Sequence, residues 1–166
     1  MSELRPPDYG KDQMRDQVGR WMEAAEAFRR QDPAAVGDLL TNPDLPDAHA
    51  YSLLVAQTAL GAYMCALSIA EAHGHTLDTL PPNREYVVDE LRPDLEASAA
   101  RRTAMSVIMQ SLNGQEQEAV EAVVAYSAPP NRKGVERLCD LTFELLMLYI
   151  GFDDLRRRNP PLGGTS

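Results

Sequence analysis

The sequence predicts an all-α protein, a single-domain bundle of about five to six helices around a central apolar helix at about residues 47–73. Residues 48–70 contain no Asp, Glu, Lys or Arg, although 25% of the chain is charged, and a helix without a charged face has to be surrounded. Elsewhere apolar residues recur at spacings of three and four, and no stretch alternates as a strand does. With 166 residues the chain is long enough to close one core. The helical domain is expected over residues 11–158, between flexible segments at 1–10 and 159–166.

The helices of the first half are delimited by recognisable start and stop signals. A first helix is predicted from about Lys11 to Gln31, with its apolar positions at Met14, Val18, Trp21, Met22, Ala25 and Phe28. Asp32-Pro33 combines a capping residue with Pro at the first helical position, which predicts a short second helix. The central helix follows the segment TNPDLPD and ends at Gly74, because glycine accepts the left-handed conformation just past a helix end.

The second half is predicted to hold further helices separated by Pro and Asn-Gly signals. A loop leads to a short helical piece, REYVVDEL, at residues 84–91, and another helix runs from about Asp94 to Leu112. A fifth segment spans about residues 116–126 and the last helix about residues 132–158. The expected core positions of the middle helices are Leu95, Ala99, Met105, Ile108, Met109, Leu112, Val120, Val123 and Val124.

The central helix is long enough to cross a membrane, but its composition favours the core of a soluble protein. Alanine is abundant, and the stretch includes the polar residues His49, Ser52, Gln57, Thr58 and Ser68. Acidic residues Asp44, Asp47 and Glu71 flank it where Lys or Arg would anchor a membrane span. No apolar signal peptide is visible at the N-terminus. We therefore expect a cytoplasmic protein, in which Cys65 and Cys139 are reduced thiols.

The charge balance limits the classes of partner. A net charge of −9 and a pI near 4.8 disfavour nucleic acid and anionic membranes. The basic run Arg156-Arg157-Arg158 is explained by favourable interaction of cations with a helix C-terminus. Lys11 and Lys133 are the only lysines. Together with the alanine content, this preference for arginine favours a bacterial genome of high GC content as the source.

The last helix carries an apolar seam with strict three- and four-residue spacing. Its members are Leu138, Leu141, Leu145, Leu148, Phe152 and Leu155. A second apolar stripe runs beside the seam, and from Leu145 to Phe152 the helix is apolar all round. A chain of this size surrounds one such helix more easily than two, so we predict that a second copy covers the seam in a two-fold homodimer. The alternative is that the last helix is fully buried within one chain, as in many all-α folds.

The sequence contains none of the common catalytic or cofactor-binding motifs, so no cofactor is predicted and a non-enzymatic role is favoured. Glu71, His73 and His75 form the best group of potential metal ligands. Their spacing is not that of a standard metal site, and solvated residues at a helix end explain them better, so no metal site is predicted.

Two functions remain open. The first is protein–protein contact by a cytoplasmic helical bundle, as a homodimer and with room for another protein partner. The alternative is a small-molecule-binding regulatory domain whose apolar pocket is lined by Tyr63, Met64, Met105 and Met109, because flexible methionines adapt to ligands. The same four residues at helical spacings are also typical of plain core.

Overall fold

The computed structural model describes residues 11–40, 47–74 and 97–158. It confirms the all-α fold: every regular element within these three ranges is a helix. The helices are α1 Lys11–Arg29, α2 Pro33–Leu40, α3 Asp47–Ala72, α4 Ala99–Leu112, α5 Glu116–Ser127 and α6 Arg132–Arg158. The predicted helical piece at residues 84–91 and both predicted flexible termini lie outside the described residues.

The helices α3 and α6 form the centre of the bundle and run in the same direction. Thr58 contacts Thr142 near the middle of the pair, and Glu71 contacts Arg156 near its C-terminal end. The central part of α3 is buried against its neighbours, with Ala62, Cys65 and Ala66 fully enclosed. The prediction of a central apolar helix is thus confirmed. Leu54–Ala72 is long and apolar enough to cross a membrane, but about half of it is buried inside the bundle, as expected of a core helix.

Four helix ends show recognisable capping residues. The Asp32 carboxylate accepts a hydrogen bond from the backbone N–H of Ala35 and caps α2. The Asn131 side chain accepts one from the backbone N–H of Gly134 and caps α6. Gly74 and Gly114 adopt positive φ angles of 79° and 75° just past the ends of α3 and α4.

Three predictions about the middle helices are wrong. The predicted core residue Ala99 is exposed, while Leu95 lies outside the described residues. The helix α4 begins at Ala99 and not near Asp94, because Ser98 has an extended ψ of 157° and its side chain accepts a hydrogen bond from the N–H of Arg101. The inward face of α5 consists of Ala119, Val123 and Ser127. Val120 and Val124, predicted to be core, are 40% and 42% exposed. Each directly follows a residue of the inward face and so points about 100° away from it.

Candidate functional surface

The seam of α6 lies inside a single chain. Leu138, Leu141 and Leu145 are completely buried, Leu148 and Phe152 are buried, and Leu155 is half-buried. The other helices of the same chain cover these side chains, so they are not free to contact a second subunit. This corrects the predicted position of the interface and agrees with the alternative of a final helix buried within one chain. It does not test the homodimer, which stays a prediction.

An apolar patch remains on the opposite, solvent-facing side of α6. We call it the outer patch, and its members are Phe143, Met147, Ile150 and Gly151. The Met147 side chain is 39% exposed, while Phe143 and Ile150 are half-buried. Gly151 is exposed, and a Cβ built on it would meet nothing within 4 Å. The outer patch exists because α6 is apolar all round here, so it carries more apolar side chains than the core can bury.

Charged residues border the outer patch at both ends. Glu136 and Asp140 are exposed on the N-terminal side, and Arg158 is exposed on the C-terminal side. The side chain of Glu136 is 69% exposed and has only a distant intrahelical contact, 4.0 Å from Arg132. Exposed pairs of this kind contribute little to stability. Exposed Arg132 and Lys133 lie about one turn before Glu136, and the partly exposed Asp154 lies about one turn before Arg158. The acidic groups nearest the N-terminal side of the patch are therefore Glu136 and Asp140, and the free basic group beyond its C-terminal side is Arg158.

The four residues of the predicted pocket lie on α3 and α4, and the pocket stays a prediction. Tyr63 is 36% exposed, Met64 and Met109 are half-buried, and Met105 is buried. Tyr63 and Met64 are successive residues of α3 and so point about 100° apart. In the part of the chain that the structure describes, a shallow open concavity also lies along α1, where it is lined by Met22, Glu23, Glu26 and Arg30.

An ionic cluster joins the C-terminal parts of α1, α3 and α6. Its members are Arg29, Glu71, Asp153, Asp154, Arg156 and Arg157. The Asp153 carboxylate is only 3% exposed and lies 3.0 Å from Arg29, 2.7 Å from Arg156 and 3.2 Å from Arg157. Hydrogen bonding to Asp154 raises the pKa of Arg29. Because each carboxylate of the cluster already has an arginine partner, the cluster holds the helices together and offers no free acid–base pair.

The two thiols show no sign of activation. Burial raises the pKa of the Cys65 thiol well above its usual range, and its Sγ donates to the carbonyl oxygen of Leu145 at 3.4 Å. Burial also raises the pKa of Cys139, so both thiols stay protonated and unreactive at neutral pH. Of the three residues considered as potential metal ligands, Glu71 contacts Arg156, His73 is exposed and His75 lies outside the described residues. Within the described ranges, no three His, Cys, Asp or Glu side chains gather as a metal site.

No known protein family, curated protein or solved structure matches this chain. A function proposed for it has to rest on the fold and on the surfaces described above.

Proposed function

We propose that the protein acts through protein–protein contact, as a homodimer whose subunits meet through the outer patch of α6. The observation that carries this proposal is the exposed Met147 between half-buried Phe143 and Ile150, on the stretch of α6 that is apolar all round. Exposed apolar surface bordered by charges is typical of protein interaction sites. Two-fold symmetry is the commonest arrangement of a soluble oligomer.

The proposed location is the cytoplasm, and the proposed partners exclude nucleic acid and membrane. The net charge of −9 supports this proposal, because it repels phosphate backbones and anionic lipids. The two protonated, unpaired thiols fit a reducing compartment.

The test replaces the centre of the outer patch. We expect the parent protein to sediment as a dimer at micromolar concentration. Met147→Glu places two carboxylates against each other at the two-fold axis, and we expect it to raise the dissociation constant at least about 100-fold. Sedimentation velocity over a dilution series measures this change.

Val124→Glu is the matched control, because Val124 is exposed to the same degree but lies on α5. We expect this variant to remain a dimer, with the thermal unfolding of both variants showing that they are folded. A monomeric parent protein, or equal weakening by the two substitutions, would overturn the proposal.

A further inference from the structure

The outer face of α6 is arranged symmetrically around Met147. Phe143 and Gly151 lie at equal distances on either side of it, about 6 Å along the helix axis. Glu136 and Arg158 also lie at equal distances from it, about 16 Å along the axis. All five positions face outward or are partly exposed.

From this symmetry we infer that two copies of the chain pack through α6 in an antiparallel register centred on Met147. The inference rests on the proposed α6 dimer and adds its orientation and pairing. Met147 then meets Met147 of the partner subunit, and Phe143 lies over Gly151 of the partner subunit. Glu136 faces Arg158 of the partner subunit, and by symmetry each of these unlike contacts occurs twice.

The apolar contacts favour this register because the large Phe143 side chain packs over a glycine, which has no side chain to obstruct it. Gly151 is an exposed glycine inside a helix, which lowers helix stability relative to alanine. The space above its Cα is open, since a Cβ would have no neighbour within 4 Å. The half-buried ring of Phe143 is the large apolar group that antiparallel packing brings to that space, and such close contacts between helices are typical of glycine.

The charges also favour antiparallel over parallel packing. In a parallel pair, Glu136 and Asp140 would each lie beside their own copies, and like charges repel. In the antiparallel pair they lie near the basic C-terminal end, where Arg158 is exposed. Asp154 also approaches Asp140 there, but its charge is offset by the hydrogen bond from Arg29 at 2.8 Å. The helix dipoles oppose each other favourably in the same arrangement.

Charge reversal with mixing tests the orientation. Glu136→Arg and Arg158→Glu each place like charges at both ends of the homodimer, and we expect each variant to dimerise about tenfold more weakly than the parent protein. An equimolar mixture of the two variants forms heterodimers in which both contacts between residues 136 and 158 are attractive. We expect these heterodimers to recover the parent dissociation constant, as measured by sedimentation equilibrium.

The control for mixing is Glu118→Arg, which reverses an exposed charge on α5 away from α6. Mixed with Arg158→Glu, it should give no more dimer than the average of its components, because one of the two contacts between residues 136 and 158 stays repulsive in the heterodimer. If the parent protein is a dimer but the first mixture behaves as the average of its components, the antiparallel register is wrong while the α6 dimer stands. If the parent protein is a monomer, both proposals fail.

Cysteine pairing gives a second measurement, in a Cys139→Ser background that removes the half-buried native thiol. Phe143→Cys mixed with Gly151→Cys is expected to form a disulfide-linked dimer under mild oxidation. Phe143→Cys alone is not, because its two copies would stand about 12 Å apart along the axis. Cross-linking of Phe143→Cys alone, with no disulfide between the two different variants in the mixture, would indicate parallel helices and overturn the inference.

Discussion

At the scale of single residues, the close approach of Trp21 to Gly61 fixes how α1 lies on the central helix. A Cβ on Gly61 would stand 2.5 Å from Cη2 and 2.8 Å from Cζ3 of the indole. The other side of the indole meets the ring of Tyr149 edge-on, with centroids 5.9 Å apart. Trp21 is 1% exposed, so the indole has no free volume into which it could move.

We therefore expect Gly61→Ala to lower the free energy of unfolding by about 1–3 kcal/mol, the usual cost of overpacking a core. Gly19→Ala is the matched control, because a Cβ there meets nothing within 4 Å and alanine favours a helix by about 0.5–1 kcal/mol. Urea unfolding followed by the fluorescence of Trp21, the single tryptophan, measures both. Equal stabilisation by the two substitutions would show that the indole does not lie on Gly61.

Residue patterns in the sequence were sufficient to place a helix but not always its inward face. The helix α5 contains Val120, Val123 and Val124, and a preference for valine over smaller residues selects the wrong two of them for the core. The actual inward face includes Ala119 and Ser127, whose small size admits close neighbours. Close packing depends on where a neighbouring helix lies, and that information is absent from the periodicity of α5 alone.

At the scale of elements, Asp153 links α1 to the end of α6. Its carboxylate has three arginine neighbours and a side chain 3% exposed, whereas the adjacent Asp154 is 40% exposed and pairs with Arg29 alone. Buried ionic groups that lose a partner are costly, because the remaining charges are poorly solvated. Exposed pairs contribute little.

We expect Asp153→Asn to destabilise the protein by about 3 kcal/mol and Asp154→Asn by less than about 1 kcal/mol. Because Arg29 loses its buried partner in the first variant, the amides of α1 should also exchange with solvent faster than in the second. Chemical unfolding and hydrogen exchange measure the two effects. Similar losses in both variants would contradict the role given to Asp153.

The sequence predicted the bounds of α6 but not what covers its seam. A wide apolar surface on a helix shows that something must pack on it, and this requirement is the same whether the neighbour belongs to one chain or to two. Here α3 and the remaining helices provide enough cover for Leu141 and Leu145. For locating an exposed apolar surface, the all-round apolar composition from Leu145 to Phe152 was more informative than the spacing of the seam, because it implies apolar residues on the outer face as well.

At the scale of the whole molecule, buried cysteine and tyrosine side chains make the stability of the fold depend on pH in the alkaline range. Burial raises the pKa of the Cys65 and Cys139 thiols and of the Tyr126 and Tyr149 hydroxyls. In the unfolded chain these groups ionise near their ordinary values, about 8.5 for cysteine and 10 for tyrosine. Above those values the unfolded state therefore binds fewer protons than the folded state, and the free energy of unfolding falls as the pH rises.

We expect the contribution of these groups to the free energy of unfolding to be fully present below about pH 8 and to decline above about pH 8.5. Each group lowers the free energy of unfolding by at most about 1.4 kcal/mol per pH unit. Cys65→Ala removes the most deeply buried thiol. It lowers stability at every pH by leaving a small cavity, but it should make the decline between pH 8.5 and 10 shallower. Cys139→Ala, at a half-buried position, should flatten the curve less. Urea unfolding at fixed protein concentration across this range measures the slopes. If the stability of Cys65→Ala fell with pH in parallel with that of the parent protein, the burial of an un-ionised thiol in α3 would be contradicted.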